Sequence, residues 1–212
     1  MSRTRFILLG LMSAVALSAV MATSALAAAP EWWVEGSVIK VAEKIAPKGN
    51  LLTPIIIKSS KVTIECTEDT VKNGFIGPGN KNSMESLVMG GCKIPTLPSC
   101  VIPTVESNPL VFPLIRLEEK GKIKLNFTPE TGKLLAKITV KGECAAKGSY
   151  ELTVGEKAGM QCEYPGVETE KKEHELNFSE GAGSELLLNG EKAILTGIVH
   201  FGLASGKLWS AK

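Results

Sequence analysis

Five cysteines, two histidines and a scatter of glutamates are the side chains in this 212-residue chain that could do chemistry. Cys66, Cys92, Cys100, Cys144 and Cys162 could act as nucleophiles, metal ligands or disulfide partners. A zinc site needs ligands at short, paired spacings, and neither C-x-x-C nor H-E-x-x-H occurs. Lys172-Glu173-His174-Glu175 has no second histidine at helical spacing, and the carboxylates are nearly all Glu, with no Asp-rich loop for calcium. No metal or other cofactor is therefore expected. A nucleophilic site needs a base and an orienting acid beside the Ser or Cys, yet there is no G-x-S-x-G turn, and Asp69 offers no convincing acid partner. Cys100 with His174 is the best thiol combination, although an exported thiol tends to oxidise. Glu118-Glu119 and Glu168 with Glu170 invite a glycosidase reading. They sit beside lysines in expected turns, and spacing along the chain does not set the carboxylate separation that such hydrolysis requires. No residue is assigned a catalytic role, and the chain is expected to be non-enzymatic.

Binding is the remaining class, and Trp32-Trp33, with Trp209 near the other end, is its best candidate surface in an aromatic-poor sequence. The reading preferred over that one is that this pair pins the N-terminal segment, one ring inward and one partly covered. His174 shares a strand face with Leu176 and Phe178, and His200 with Ile194, Thr196 and Ile198, positions that read as packing or rim. Formal net charge is +2, and Arg3 and Arg5 account for all of it. A chain with no basic excess beyond residue 5 lacks the footprint of a nucleic-acid binder. Beyond that point Arg116 and Asp69 are the only Arg and Asp among many Lys and Glu, which describes a solvating surface.

The same two arginines open an export signal. They precede an apolar run from Phe6 to Val20, and Ala25-Leu26-Ala27-Ala28-Ala29 supplies the small-x-small exit, so residues 1–29 read as a signal peptide and residues 30–212 as one secreted or envelope-located domain. No second apolar run is long enough to span a membrane. In an oxidising compartment five cysteines give two bridges and one spare thiol. Lys61 to Cys66 and Lys137 to Cys144 carry similar Lys-x-Thr-x-(x-x-)Glu-Cys texts, each with a later cysteine. Cys66 with Cys92 and Cys144 with Cys162 are therefore expected, leaving Cys100 unpaired. A bridge between Cys92 and Cys100 across the proline-rich 94–99 loop is the competing arrangement.

Alternation with period two dominates the elements that must position these groups. Val62, Ile64 and Cys66; Ile123, Leu125 and Phe127; Leu134 to Val140; and Tyr150 to Val154 each place apolar residues on one face. Glu119-Lys120-Gly121, Pro129-Glu130-Thr131-Gly132 and Asn189-Gly190 punctuate these runs, and Asn-Gly is a strong hairpin signature. Ala193 to Phe201 is apolar on both faces, as a covered central strand would be. Helix is scarce, with weak candidates at Val41 to Ile45 and Glu170 to Glu175. The expectation is an all-β, antiparallel β-sandwich or barrel-like single domain.

Ile64-Glu65-Cys66, Gly90-Gly91-Cys92, Cys100 and Asn108-Pro109-Leu110, in that order, resemble a group of uncharacterised exported proteins common in actinobacteria. The likeness covers mainly Lys61 to Leu117, and the Lys/Glu-rich Glu163 to Glu180 departs from it. It implies a secreted, β-rich domain and no known activity. The function expected is that of a secreted interaction module with an extracellular protein or glycan partner. A carrier of a small apolar ligand, with a cavity between its sheets, is the alternative, ahead of a secreted hydrolase.

Overall fold

The computed structural model describes residues 29–117, 122–156 and 158–212. The expected signal peptide lies outside them except for its last residue, as do Glu118 and Glu119. The described chain runs through β1 (Trp32–Val34), β2 (Ser37–Val38), β3 (Glu43–Lys44), β4 (Asn50–Lys58), β5 (Thr63–Cys66), β6 (Glu68–Lys72) and β7 (Phe75–Ile76). It continues through β8 (Ser83–Met84), β9 (Ser86–Gly90), β10 (Val105–Ser107), β11 (Leu110–Val111), β12 (Leu114–Arg116), β13 (Ile123–Pro129) and β14 (Leu134–Val140). The remaining strands are β15 (Gly148–Val154), β16 (Met160–Glu163), β17 (Glu173–Phe178), β18 (Leu186–Leu188), β19 (Glu191–Gly202) and β20 (Trp209–Ala211).

Alternating side chains can hide one face only if a second sheet covers it, and the fold is accordingly an all-β antiparallel sandwich. One layer has the order β5-β4-β19-β17-β16-β13-β12. The facing layer is β6-β9-β10-β14-β15-β18 and the first residues of β19. The long β19 thus belongs to both layers. The chain changes layer again at Thr67, between β5 and β6. A smaller sheet, β3-β7-β8-β11 and the end of β13, adds to this body, and β2-β1-β20 form a separate three-stranded sheet.

Ile57, Ile64, Leu125, Ile138 and Leu152 are completely buried between the strands, each worth about 1.5–3 kcal/mol of apolar transfer. Ile123, Leu125 and Phe127 all face inward, as their spacing predicts. Phe127 stacks on Phe112 with ring centroids 5.2 Å apart. Asn189 and Gly190 adopt φ of 50° and 80°, the left-handed pair that a tight hairpin between β18 and β19 requires. Both weak helix candidates are corrected. Val41 to Ile45 contains β3, which pairs with β7, and Glu170 to Glu175 leads into β17, where His174, Leu176 and Phe178 point inward against β19. Tertiary pairing overrides the local preference in both places.

The disulfides join Cys66 to Cys92, the pairing expected, and Cys100 to Cys144. The expected Cys144–Cys162 bridge is replaced, Cys100 is not the unpaired cysteine, and Cys162 is the free thiol. The reason is topological. Cys162 sits on β16 opposite Leu125, fully buried in one layer. Cys144 lies beyond the end of β14 in the other layer, where Val101 and Lys141 exchange backbone hydrogen bonds of 2.9 and 2.8 Å and bring Cys100 alongside. The similar texts before Cys66 and Cys144 therefore end differently, the first inside a strand and the second past one. Peptide mapping without reduction should recover the 66–92 and 100–144 links. Each bridge, closing spans of 26 and 44 residues, should contribute about 4 kcal/mol through loop closure, and Cys162 should react with thiol reagents only after unfolding.

Candidate functional site

The expected binding pair divides. Trp32 is 1% exposed and points into the body while Trp33 remains half-buried on the opposite face of β1, which is the reading of one ring inward and one partly covered and removes Trp32 from the candidate binding surface. Trp32 is fixed by its indole N–H, which donates to Asn82 Oδ1 at 2.7 Å. Asn82 is itself buried and saturated: it also accepts from the Gly77 N–H and donates to Asn80 Oδ1 and the Phe112 carbonyl. Trp32 packs on Trp209, 5.4 Å away, and edge-on to Tyr164. Lys212 Nζ lies 4.7 Å from the centre of the Trp33 ring.

The thiol combination is dismantled, since Cys100 is in a disulfide and His174 packs against Trp209 with ring centroids 4.4 Å apart. His174 Nε2 is 2.8 Å from the Trp209 carbonyl. A carbonyl only accepts, so Nε2 carries the proton, and burial pushes the imidazole below its ordinary value toward the neutral form. His200 lies at the rim, 3.4 Å from Glu173 and 3.7 Å from Glu175. Burial pushes the Cys162 thiol far up, which keeps it protonated and inert. Glu170 accepts the Gly36 N–H in an exposed turn contact. No group of three or more His, Cys, Asp or Glu among the described residues is arranged to hold a metal.

Sequence reasoning passed over the group with the most unusual surroundings, Asp69. In β6 the exposed Glu68 is followed by buried Asp69, half-buried Thr70 and buried Val71, so Asp69 occupies an inward position where an apolar residue is the rule. It is 9% exposed. One side of the carboxylate accepts the Gly49 N–H, and Oδ1 has no hydrogen-bond partner. A side chain at Gly49 would collide with Asp69 Oδ2, which makes glycine necessary at this close approach. Desolvation by burial raises the Asp69 carboxyl above its ordinary value, opposed by the Gly49 hydrogen bond. The available clue was period two: Asp69 is in phase with Val71, and it is the only Asp in the sequence.

Asp69 and Gly49 border a partly open cavity of about 60 Å³ between the layers. Its walls include Met84, Met89, Met160, Phe127 and Phe178. The segment 46–49 crosses one end of it, tied to Gly202 by the Ala46 N–H and to Val71 by the Pro47 carbonyl, at 2.9 and 2.8 Å. Lys48, Asp69, Ser107 and His200 bring polar side chains to this lining.

No protein-family model matches the chain, and neither a curated protein nor a solved structure matches it.

Two outcomes follow from this geometry. Trp32→Ala should cost about 3–5 kcal/mol, because it opens a void in the core and strands Asn82 Oδ1, whereas Trp33→Ala should leave urea unfolding nearly unchanged. Asp69→Asn should raise Tm at pH 7. The sign follows from a folded-state value above the unfolded one: the fold takes up the proton more readily, so the penalty of the charged form is present at neutral pH and disappears as pH falls toward and below 3.8. Thermal melts of both proteins from pH 7 to pH 3.5 should show the difference shrinking to zero.

Proposed function

We propose that the chain is exported and serves as a non-enzymatic interaction module, extracellular or attached to the cell envelope, with a protein or glycan partner. The observation that carries this reading is the set of exposed or half-buried apolar side chains on, or near in sequence to, the small sheet β2-β1-β20. Half-buried Trp33 lies on β1, opposite Val38 of β2. Val41 is 76% exposed and Leu208 39% exposed, and they adjoin in sequence the Glu43–Lys207 ion pair of 2.6 Å. Large exposed apolar side chains beside an aromatic ring and a polar rim are what interaction surfaces present. Two disulfides fit a non-reducing environment, and no described helix is long and apolar enough to cross a membrane.

The interior supports this reading over the carrier. Carriers enclose several hundred cubic ångströms for a ligand of ordinary size, and the space between these layers is about 60 Å³. The test uses the mature chain with envelopes of the cells that produce it, separated into protein and glycan fractions. Wild type should sediment with one fraction, and Trp33→Ala should weaken that association about 30-fold, near 2 kcal/mol. Equal retention of Trp33→Ala and wild type, or no retention of wild type by either fraction, would reject the surface.

A further inference from the structure

The outer face of the layer that contains β5, β4, β19 and β17 poses a question separate from the Trp33 surface. Cross-strand partners share a face, so Lys58 stands beside Ile194, Ile56 beside Thr196, Thr53 beside Ile198, and Asn50 and Glu175 beside His200. Ala193, Leu195, Val199 and Phe201 take the inward phase of β19, which sets these residues outward. The sequence of β19 is that of a strand covered on both sides, yet Ile56, Ile194 and Ile198 are only half-buried, and Leu52, at the bulge beside Thr53, is 50% exposed. Near β13 the chain supplies its own cover: Lys124, in the outward phase, is buried and donates to the Ala182 carbonyl at 2.8 Å. Over β4 and β19 the isoleucines keep part of their surface.

Charge is sorted along this strip. Beside Ile194, Lys58 and Lys192 are exposed, and neither forms an ion pair among the described residues, whereas Lys61 and Glu191 at the same end satisfy each other. At the other end Glu173 and Glu175 are exposed, with His200 3.4 and 3.7 Å away and Lys48, in the segment leading into β4, as a partial counterweight. Lys171 and Lys172, just before these glutamates, belong to the backbone pairing with Trp209 instead.

We propose that this outer face is where two copies of the chain pack, sheet on sheet, about a two-fold axis that lies in the interface perpendicular to β19. A self-complementary patch is what such an axis requires. The axis lays β19 reversed over β19 of the second copy, so the Ile194 end of one strand meets the Ile198 end of the other and Ile56 lies near the centre. Lys58 and Lys192 of each copy then come over the end that carries Glu173 and Glu175 in the other. An axis parallel to β19 would instead stack lysine on lysine, which costs free energy. The area is sufficient. Lys192 to His200 spans about 30 Å and the four strands about 19 Å across. That footprint of about 600 Å² is comparable with the roughly 800 Å² that each partner contributes to a standard interface. The inference is independent of the Trp33 reading, since Trp33 lies in the separate sheet β2-β1-β20.

The experiment is sedimentation equilibrium of the mature chain over about two decades of concentration. Wild type should pass from monomer to dimer, and Ile198→Lys should weaken dimerisation at least tenfold while Trp33→Ala leaves it unchanged. Lys58→Glu and Glu175→Lys should each weaken it about fivefold, and the double variant, which exchanges the two charges, should return to within about twofold of wild type. A monomer at every concentration would overturn the proposal and leave this face to solvent or to a different partner. Dimerisation that Trp33→Ala weakens and Ile198→Lys does not would place the contact on the other sheet and overturn it as well. Failure of the double variant to recover would overturn the two-fold arrangement. Lys58 and Glu175 are exposed, so the charge exchange decides the matter even if Ile198→Lys folds poorly.

Discussion

The constraint on which the rest of the structure depends is the shared strand β19. Its first residues pair with β18 in one layer and the remainder with β4 and β17 in the other, so both faces of the sandwich take their register from it. Side chains alternate along a strand, so a slip of one residue would send Ala193, Leu195, Val199 and Phe201 outward together. Gly197 sits where β19 presses against Pro54 and Ile55 of β4, and the pairing shifts on either side of Ile198. The bend that lets one strand serve two layers is therefore concentrated where a side chain has no room.

Much of this was legible in the sequence because the evidence for it is local. Alternation marked β5, β13, β14 and β15, and Asn189-Gly190 marked the hairpin between β18 and β19, whereas β19, expected to be covered on both faces, is buried on one and half-buried on the other. What escaped is set by partners distant along the chain. Lys124 has the polar phase of β13, between inward Ile123 and Leu125, yet it is buried and donates to the Ala182 carbonyl at 2.8 Å. Nothing near Lys124 in the chain announces Ala182. Asn82 is similar: a polar residue in a turn becomes the saturated hub of Trp32 through groups 5, 30 and 50 residues away. Asp69 carried a readable clue in its phase with Val71. The meaning of that phase, a carboxylate bordering a cavity, required the opposite layer.

The cysteines show the same division between local pattern and global topology. A shared text before Cys66 and Cys144 suggests equivalent roles, but only Cys66 lies within a strand. The Cys100–Cys144 bridge fastens the loop after β9 to the end of β14, and the Cys66–Cys92 bridge fastens the corner where the chain changes layer. Both covalent ties therefore act where hydrogen-bonded pairing gives way to connecting segments. The remaining thiol, Cys162, lies in the middle of the β13-β16-β17 sheet, where packing already holds the backbone.

Trp32 and Trp209 meet in the core because β1 and β20 pair, and the pairing continues through Glu31 and Lys212, whose backbones exchange hydrogen bonds of 2.8 and 3.0 Å. The two ends of the described domain are thus zipped side by side. A short peptide joining Lys212 to Glu31 could convert the chain into a ring, or allow it to be reopened at Gly190, without dismantling either layer.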